Sequence, residues 1–522
     1  MSSSNFPNPH DDRAGEGEDD TYLNAADVGE EIEVDEDHPM DDASDVDEGT
    51  AFEHEITLQN DSVAHFDHHT DSIFCIAQHP RHVSIVITGS GDDTALVFDS
   101  TPPDGQRPLL PPSYESAPQP QKERESLAVI ARFDGHSDSV NAVAFTEPEG
   151  EYAVTAGLDG KLRVWRDTSA DLSGRSWEFL AEVQEVEEIN WVATCPVTRD
   201  GDEQYKNVVA LGANNGSVWV YKIDKEDKAE PLGMVQAFFQ HTASCTAGAW
   251  TPDGKLLATV AEDSSFYVYD VFGAAAAAGI ASSAGTQTVV GLTAQDQRFA
   301  VEGGLYSVAV APSGAFAAVG GAEGHIKIVG LPRVSVPSAQ TSRAKGKAKG
   351  GAAAPSGGGS AGVLLASLQA QSDGIETLSF SSPPLNLLAA GSVDGSIALF
   401  DTAHRFAVRR HIRGAHEDNA VVKVEFVRDP QTSVQAAPGT TSGRPWLLTS
   451  IGMDGVVRRW DTRGGTAAAG YGLLKEWRGH MGMTENEEGE RSGGILGFVQ
   501  GENGGRRIVT AGDDGVALVF EE

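Results

Sequence analysis

One pattern recurs eight times along this chain and settles most of what the chain can become. Each copy runs from small residues through a short polar turn into an alternating apolar run that ends on a large side chain. The copies are TGSGDDTALVF (88–98), TAGLDGKLRVW (155–165), LGANNGSVWVY (211–221) and TVAEDSSFYVY (259–269). They continue as VGGAEGHIKIV (319–329), AGSVDGSIALF (390–400), SIGMDGVVRRW (450–460) and TAGDDGVALVF (510–520). Their turn residues are Asp92, Asp159, Asn215, Asp263, Glu323, Asp394, Asp454 and Asp514. An Asp or Asn beside Gly offers a side-chain acceptor and a permissive backbone, which is what a tight turn between two strands requires. The run from Lys161 to Trp165 alternates with the period-two signature of a strand.

Other strands flank the hairpins. Val140–Phe145 precedes the second copy, and Leu127–Phe133 follows the first. Four strands per unit make one propeller blade, so the chain is expected to be all-β, an eight-bladed β-propeller. The copies start about every 60 residues, against ~40–45 for a bare unit of this type. Loops must hold the excess. Residues 101–122 are Pro-rich, 273–290 are Ala- and Gly-rich, and 331–361 are Gly/Ala/Ser-rich with Arg333, Arg343, Lys345, Lys347 and Lys349. All three read as solvated insertions. The Ala run permits a helical turn, but its flanking glycines argue against a long helix. The eighth unit ends after its third strand, and residues 55–66 form an extra strand before the first complete unit. This N-terminal strand is expected to complete the last blade and close the ring.

Residues 1–50 carry 18 acidic residues against Arg13 alone, so they hold −17 of the formal charge of −39 and the rest of the chain still carries −22. Dense like charge with little apolar content cannot offset chain entropy, so residues 1–51 read as a disordered acidic tail and 52–522 as the propeller. A strongly negative surface repels nucleic acid and anionic membranes and attracts basic polypeptides. Cys75, Cys195 and Cys245 are too few and too scattered for a disulfide framework or a zinc site. They fit a reducing compartment. No signal-peptide pattern or membrane-spanning run is present, so the protein is expected in the cytoplasm, the nucleus or both, as a monomer.

Catalytic chemistry finds no foothold. There is no phosphate-binding loop and no nucleophile-elbow motif. His65, Asp67, His68 and His69 have metal-ligand chemistry but poor spacing, and His69 fits a structural role. Neither an enzyme nor a cofactor or metal is expected.

Gly135–His136, Asp159 and Trp165 resemble the GH, Asp and WD landmarks of WD repeats. That resemblance implies a hydrogen-bonded set of His136, Thr155, Asp159 and Trp165 in the second unit, and of His416, Ser450, Asp454 and Trp460 in the seventh. A buried His and a buried indole N–H both need partners, and Asp and Ser or Thr supply them. Partial sets surround His69, His241 and His480; the third, fifth and sixth units lack the His. The order of HFDHHTDSIFCIAQHP (65–80), TGSGDDTALVF and FDGHSDSVNAVAF resembles the angio-associated migratory cell protein family. The resemblance implies a ribosome-assembly chaperone, as its fungal members are, with a client in the basic N-terminal segment of ribosomal protein L-ten (uL-sixteen).

In a propeller the segment entering each first strand, and the turn between strands two and three, share one mouth of the central channel. Those places hold Asp71, Asp138, Glu187, Glu188, Glu262, Asp373, Glu376, Asp418 and Asp513, with Lys and Arg nearly absent. Convergent carboxylates focus negative potential and bind Arg or Lys through charge-assisted hydrogen bonds. A histone or other basic-protein chaperone would share this face. A third alternative is a signalling or ubiquitin-ligase scaffold, since Trp460, Asp461 and Arg463 resemble the WDxR box by which some propellers dock on ligase adaptors.

Overall fold

The computed structural model describes residues 59–103, 124–197, 203–280, 287–334, 360–428, 444–464, 467–485, 489, 491–501 and 504–522. The tail at 1–51, most of the expected insertions at 101–122 and 331–361, and residues 281–286 of the one at 273–290 lie outside them. The compact unit runs from Leu58 to Glu522.

Eight four-stranded antiparallel sheets form the eight blades. Their innermost strands are Ile73–Gln78, Val140–Phe145, Ile189–Thr194, Cys245–Trp250, Leu305–Val310, Ile375–Phe380, Val421–Phe426 and Ile495–Val499. Each innermost strand packs against the next, and the eighth returns to the first, so the ring is closed. Seven blades are continuous in sequence. The eighth takes its outer strand from Ala64–Phe66, which pairs with Ala517–Val519. The closing strand expected over 55–66 is therefore confined, among the described residues, to its last three. Phe66 is fully buried and stacks on Phe98 of blade 1, with centroids 4.1 Å apart.

The eight repeat copies fall on the end of each second strand, the following turn and the third strand. Their small residues have a packing reason. A Cβ added to Gly89 would stand 2.7 Å from both Cys75 Sγ and Val140 Cγ1. The second strand must be thin where the neighbouring blade leans on it. The turn has an equally local cause. Its third residue takes a left-handed φ in every blade, as Gly160 does at 71° and Gly216 at 82°. Asp93 and Ser264 hold the same place in blades 1 and 4 with φ of 63° and 57°. The Ala run makes a single helical turn, Ala274–Ala277.

Every innermost strand carries an irregularity at its second residue, which has no cross-strand partner: Phe74, Asn141, Asn190, Thr246, Tyr306, Glu376, Val422 and Leu496. An extra residue of this kind re-aims the local side chains. Several of these side chains, or their neighbours, reach the first carbonyl of the next innermost strand. Asn141 Nδ2 donates to Ile189 O (2.6 Å), Asn190 Nδ2 to Cys245 O (3.0 Å), Thr246 Oγ1 to Leu305 O (2.7 Å) and Ser307 Oγ to Ile375 O (2.7 Å). These bonds tie blade to blade around the channel wall.

Candidate functional site

The hydrogen-bonded sets orient the loops at one mouth of the channel. In blade 7, His416 Nδ1 lies 2.8 Å from Asp454 and Nε2 lies 2.8 Å from Ser450 Oγ, which also accepts the Trp460 indole N–H at 2.8 Å. In blade 2, His136 reaches Asp159 at 3.0 Å and Thr155 at 2.8 Å. Trp165 does not join that set, which corrects the expectation: its indole nitrogen is buried with no hydrogen-bond partner. Its ring instead stacks on Phe133 of blade 1, 4.3 Å away and 5° from parallel. Against blade 7 the preceding blade presents Ile412 at the place of Phe133, so no aromatic plane competes for the Trp460 ring.

His69, His241 and His480 form comparable pairs with Thr88, Thr259 and Thr510. In blade 6 Gln371 stands in for the His and donates to Ser396 O at 2.9 Å. Burial lowers His136 and His416 and outweighs their Asp partners. Burial alone would raise Asp159, but the Ser137 N–H and His136 hold it below the usual carboxylate range. Four of the turn Asp residues thus lock the segment that enters the first strand: Asp92 accepts the Thr70 N–H, Asp159 that of Ser137, Asp263 that of Thr242 and Asp394 that of Ser372.

Locking that segment fixes the acidic positions. Asp71, Asp138, Glu187, Glu188, Glu262, Asp373 and Asp418 are all exposed, and Asp513 is half-buried. The backbones of Asp71 and Asp513 are brought together where Ser72 Oγ donates to Asp513 O (3.0 Å). Asp71, Asp138 and Asp373 each accept the N–H of the following residue at 2.7 Å. Glu376 occupies the unpaired second place of its innermost strand and reaches solvent. Protein nevertheless surrounds it within the mouth, and this loss of water, followed by the Asp373 carboxylate, raises its pKa. Tyr306 is raised by burial and then by the carboxylates of Glu376, Glu262 and Asp373. Three acids from blades 4 and 6 thereby gather around one phenol of blade 5.

Two positions differ from the simple register. Blade 7 has one residue more between its His and its innermost strand, and Glu417 takes up the extra length at φ 56°. Asn419, two residues ahead of Val421, holds the place of Asp71 and Asp373, and Asp418 lies one residue farther back. The Asp513 carboxylate is engaged by the Gly493 N–H at 2.5 Å. At the second place of each innermost strand, at the two residues before that strand and before each turn acid, no Lys or Arg occurs.

The remaining motifs are accounted for locally. Arg463 pairs with Asp461 at 2.7 Å and lies over the Trp446 ring at 4.2 Å. His68 Nε2 contacts Leu127 O at 3.0 Å, and His69 belongs to the blade 1 set. Among the described residues no group of His, Cys, Asp and Glu is arranged to hold a metal ion, and no helix is long and apolar enough to cross a membrane.

The WD domain, G-beta repeat pattern matches residues 60–99, 127–166, 233–270 and 362–401. The chain is similar to the crystal structure of Chaetomium thermophilum Sqt1 bound to the N-terminus of the ribosomal protein L10. The two are 49% identical, with a TM-score of 0.71, over 89% of this chain and 100% of that one. It is also similar to the ribosome assembly protein SQT1 of Saccharomyces cerevisiae, at 26% identity over 90% of this chain and 88% of the relative. The human angio-associated migratory cell protein is 25% identical over 87% of this chain and 79% of its own length.

Proposed function

Because this chain belongs to the Sqt1 family of WD-repeat propellers, we propose that it is a dedicated, non-enzymatic chaperone of large ribosomal subunit assembly. It captures the basic N-terminal segment of newly made ribosomal protein L10 on the acidic mouth of its propeller. The observation that carries this reading is the relative, 49% identical and matched over its whole length, whose crystal structure contains the N-terminus of L10. The chemistry of the mouth supports it. Carboxylates at Asp71, Asp138, Glu187, Glu188, Glu262, Asp373 and Glu376 come from five blades, and no cation at the equivalent places opposes them. Asp418 and Asp513 belong to the same negative field from less direct positions.

Arg and Lys of the client pair with these carboxylates as it is made. Shielding its charge prevents premature contact with RNA. Fields of this kind raise association rates by ~10- to 1,000-fold at low salt, and capture must outrun aggregation. The site of action is the cytoplasm, where ribosomal proteins are synthesised.

Titration calorimetry with a synthetic L10 N-terminal peptide tests the reading. Binding should weaken as salt rises, because exposed charges are screened. Glu376→Lys and Glu262→Lys should each weaken it further. Unchanged affinity in both variants would remove the acidic mouth from the mechanism. Purification from cells that yields core histones and no L10 would replace the client.

A further inference from the structure

Acidity is unevenly distributed around the mouth. Across blades 7, 8 and 1 several of the places that hold acids elsewhere are apolar or neutral. Val422, Leu496 and Phe74 occupy the unpaired second position of the innermost strand, and Met453 precedes the turn of blade 7. Gly493 and Asn419 stand where Asp71 and Asp373 stand in their own blades. Met483 donates its N–H to Met453 O at 2.7 Å, and Gly494 donates to Met481 O at 2.8 Å, which gathers the methionines beside the entry to blade 8.

Two large apolar side chains here face water. Phe74 is 40% exposed and Met481 is 49% exposed. Neighbouring blades pack on both faces of an innermost strand, so the solvent that Phe74 meets is that of the channel mouth. The one acid of this arc, Asp513, has its carboxylate engaged by Gly493. Charge resumes at once on either flank. A Cβ added to Gly91 would lie 3.0 Å from the Asp71 carboxyl and 3.2 Å from the Phe74 ring, so acid and aromatic are neighbours. Glu417 and Asp418 stand on the other side, exposed.

We propose that this arc, formed by Phe74, Leu496, Val422 and Met453, seats an apolar side chain of the same cationic segment that the acidic positions hold. The inference rests on the chaperone reading and deepens it by defining the client segment: an apolar or aromatic residue flanked by Arg or Lys. Continuity with the acidic rim and negative charge on both flanks fix this occupant. A segment drawn across the mouth by its cations must cover the arc. Flexible thioether side chains adapt to whatever shape it brings. The arc also supplies discrimination that charge cannot: a plain polycation satisfies the rim but leaves the apolar wall without a partner.

The experiment compares two probes at several salt concentrations, the L10 N-terminal peptide and an oligoarginine of equal length. The full-length protein is compared with its Phe74→Ala, Met453→Ala and double variants, and with Met481→Ala as a second exposed position. Unchanged melting of the variants establishes that the ring is intact. The L10 peptide should bind the double variant about tenfold or more weakly, the scale of one apolar side chain left in water. Its dependence on salt should stay that of the parent, and oligoarginine binding should not change. Parental affinity of every variant for the L10 peptide would overturn the apolar seat and leave the chaperone reading standing. Failure of the parent to bind either probe would overturn both.

Discussion

The two indoles that end the third strands of blades 2 and 7 should respond differently to the same substitution. Trp460 is 3% exposed and donates to Ser450 Oγ at 2.8 Å. Trp165 is 9% exposed, and its indole N–H has no partner. Trp→Phe removes the same atoms at each place, so the losses of apolar area and the cavities left are alike to a first approximation. The polar contributions have opposite sign. At Trp460 a buried hydrogen bond worth about 1 kcal/mol is lost. The loss stays near that value because Ser450 keeps its contact with His416 Nε2 at 2.8 Å. At Trp165 the substitution deletes an unsatisfied buried donor, whose desolvation costs about 1–3 kcal/mol in the parent, and a phenyl ring still stacks on Phe133. Trp460→Phe should therefore be more destabilising than Trp165→Phe by about 2 kcal/mol. Urea unfolding followed by fluorescence and by circular dichroism measures this, with the two variants compared at equal m. Equal midpoints, or a lower midpoint for Trp165→Phe, would refute the assignment of the blade 7 set as the complete one.

Gly160→Ala should destabilise by about 2 kcal/mol or more, since a left-handed residue gains a side chain. Its Cβ would also fall 2.0 Å from Val186 O; thermal unfolding reads the effect. Burial lowers His241 to about 4, below its ordinary 6.5. The unfolded chain then binds the extra proton first, so this contribution is complete above pH 6.5 and is lost as pH falls towards 4. The loss is on the order of 3 kcal/mol, and His241→Gln should flatten that part of a stability-against-pH curve. Phe66→Ala removes a fully buried ring stacked between blades 8 and 1. It should cost about 3–5 kcal/mol and speed proteolytic cleavage at the closing strand, followed by mass spectrometry of the fragments.

What the sequence made legible is what local chemistry determines. The turn of each repeat needs an acceptor and a left-handed residue, and both are written within eleven residues, so all eight blades could be counted. The acids before the first strands of blades 1, 2, 3 and 6 follow from the same register. Features that depend on a neighbouring blade were hidden. Whether an indole turns its N–H to a hydroxyl depends on Phe133 or Ile412, each supplied by the preceding blade. The displacement of Asp418 depends on one additional residue between His416 and Val421, which becomes visible only when the strands are aligned in space. The Asp513 carboxylate is drawn aside by Gly493, reached through the small hairpin of Thr484–Glu485 and Arg491–Ser492. The apolar arc was readable in principle, because Phe74, Val422 and Leu496 share one position of the repeat.

The pairing of Ala64–Phe66 with Ala517–Val519 also sets an order of events during synthesis. Blades 1 to 7 can each hydrogen-bond as their own four strands leave the ribosome. Blade 8 must wait for residues near 519, while the strand that will complete it leaves the ribosome before blade 1 does. The ring is closed only at that moment. It thus closes in one step, when a strand that precedes blade 1 meets the third strand of blade 8.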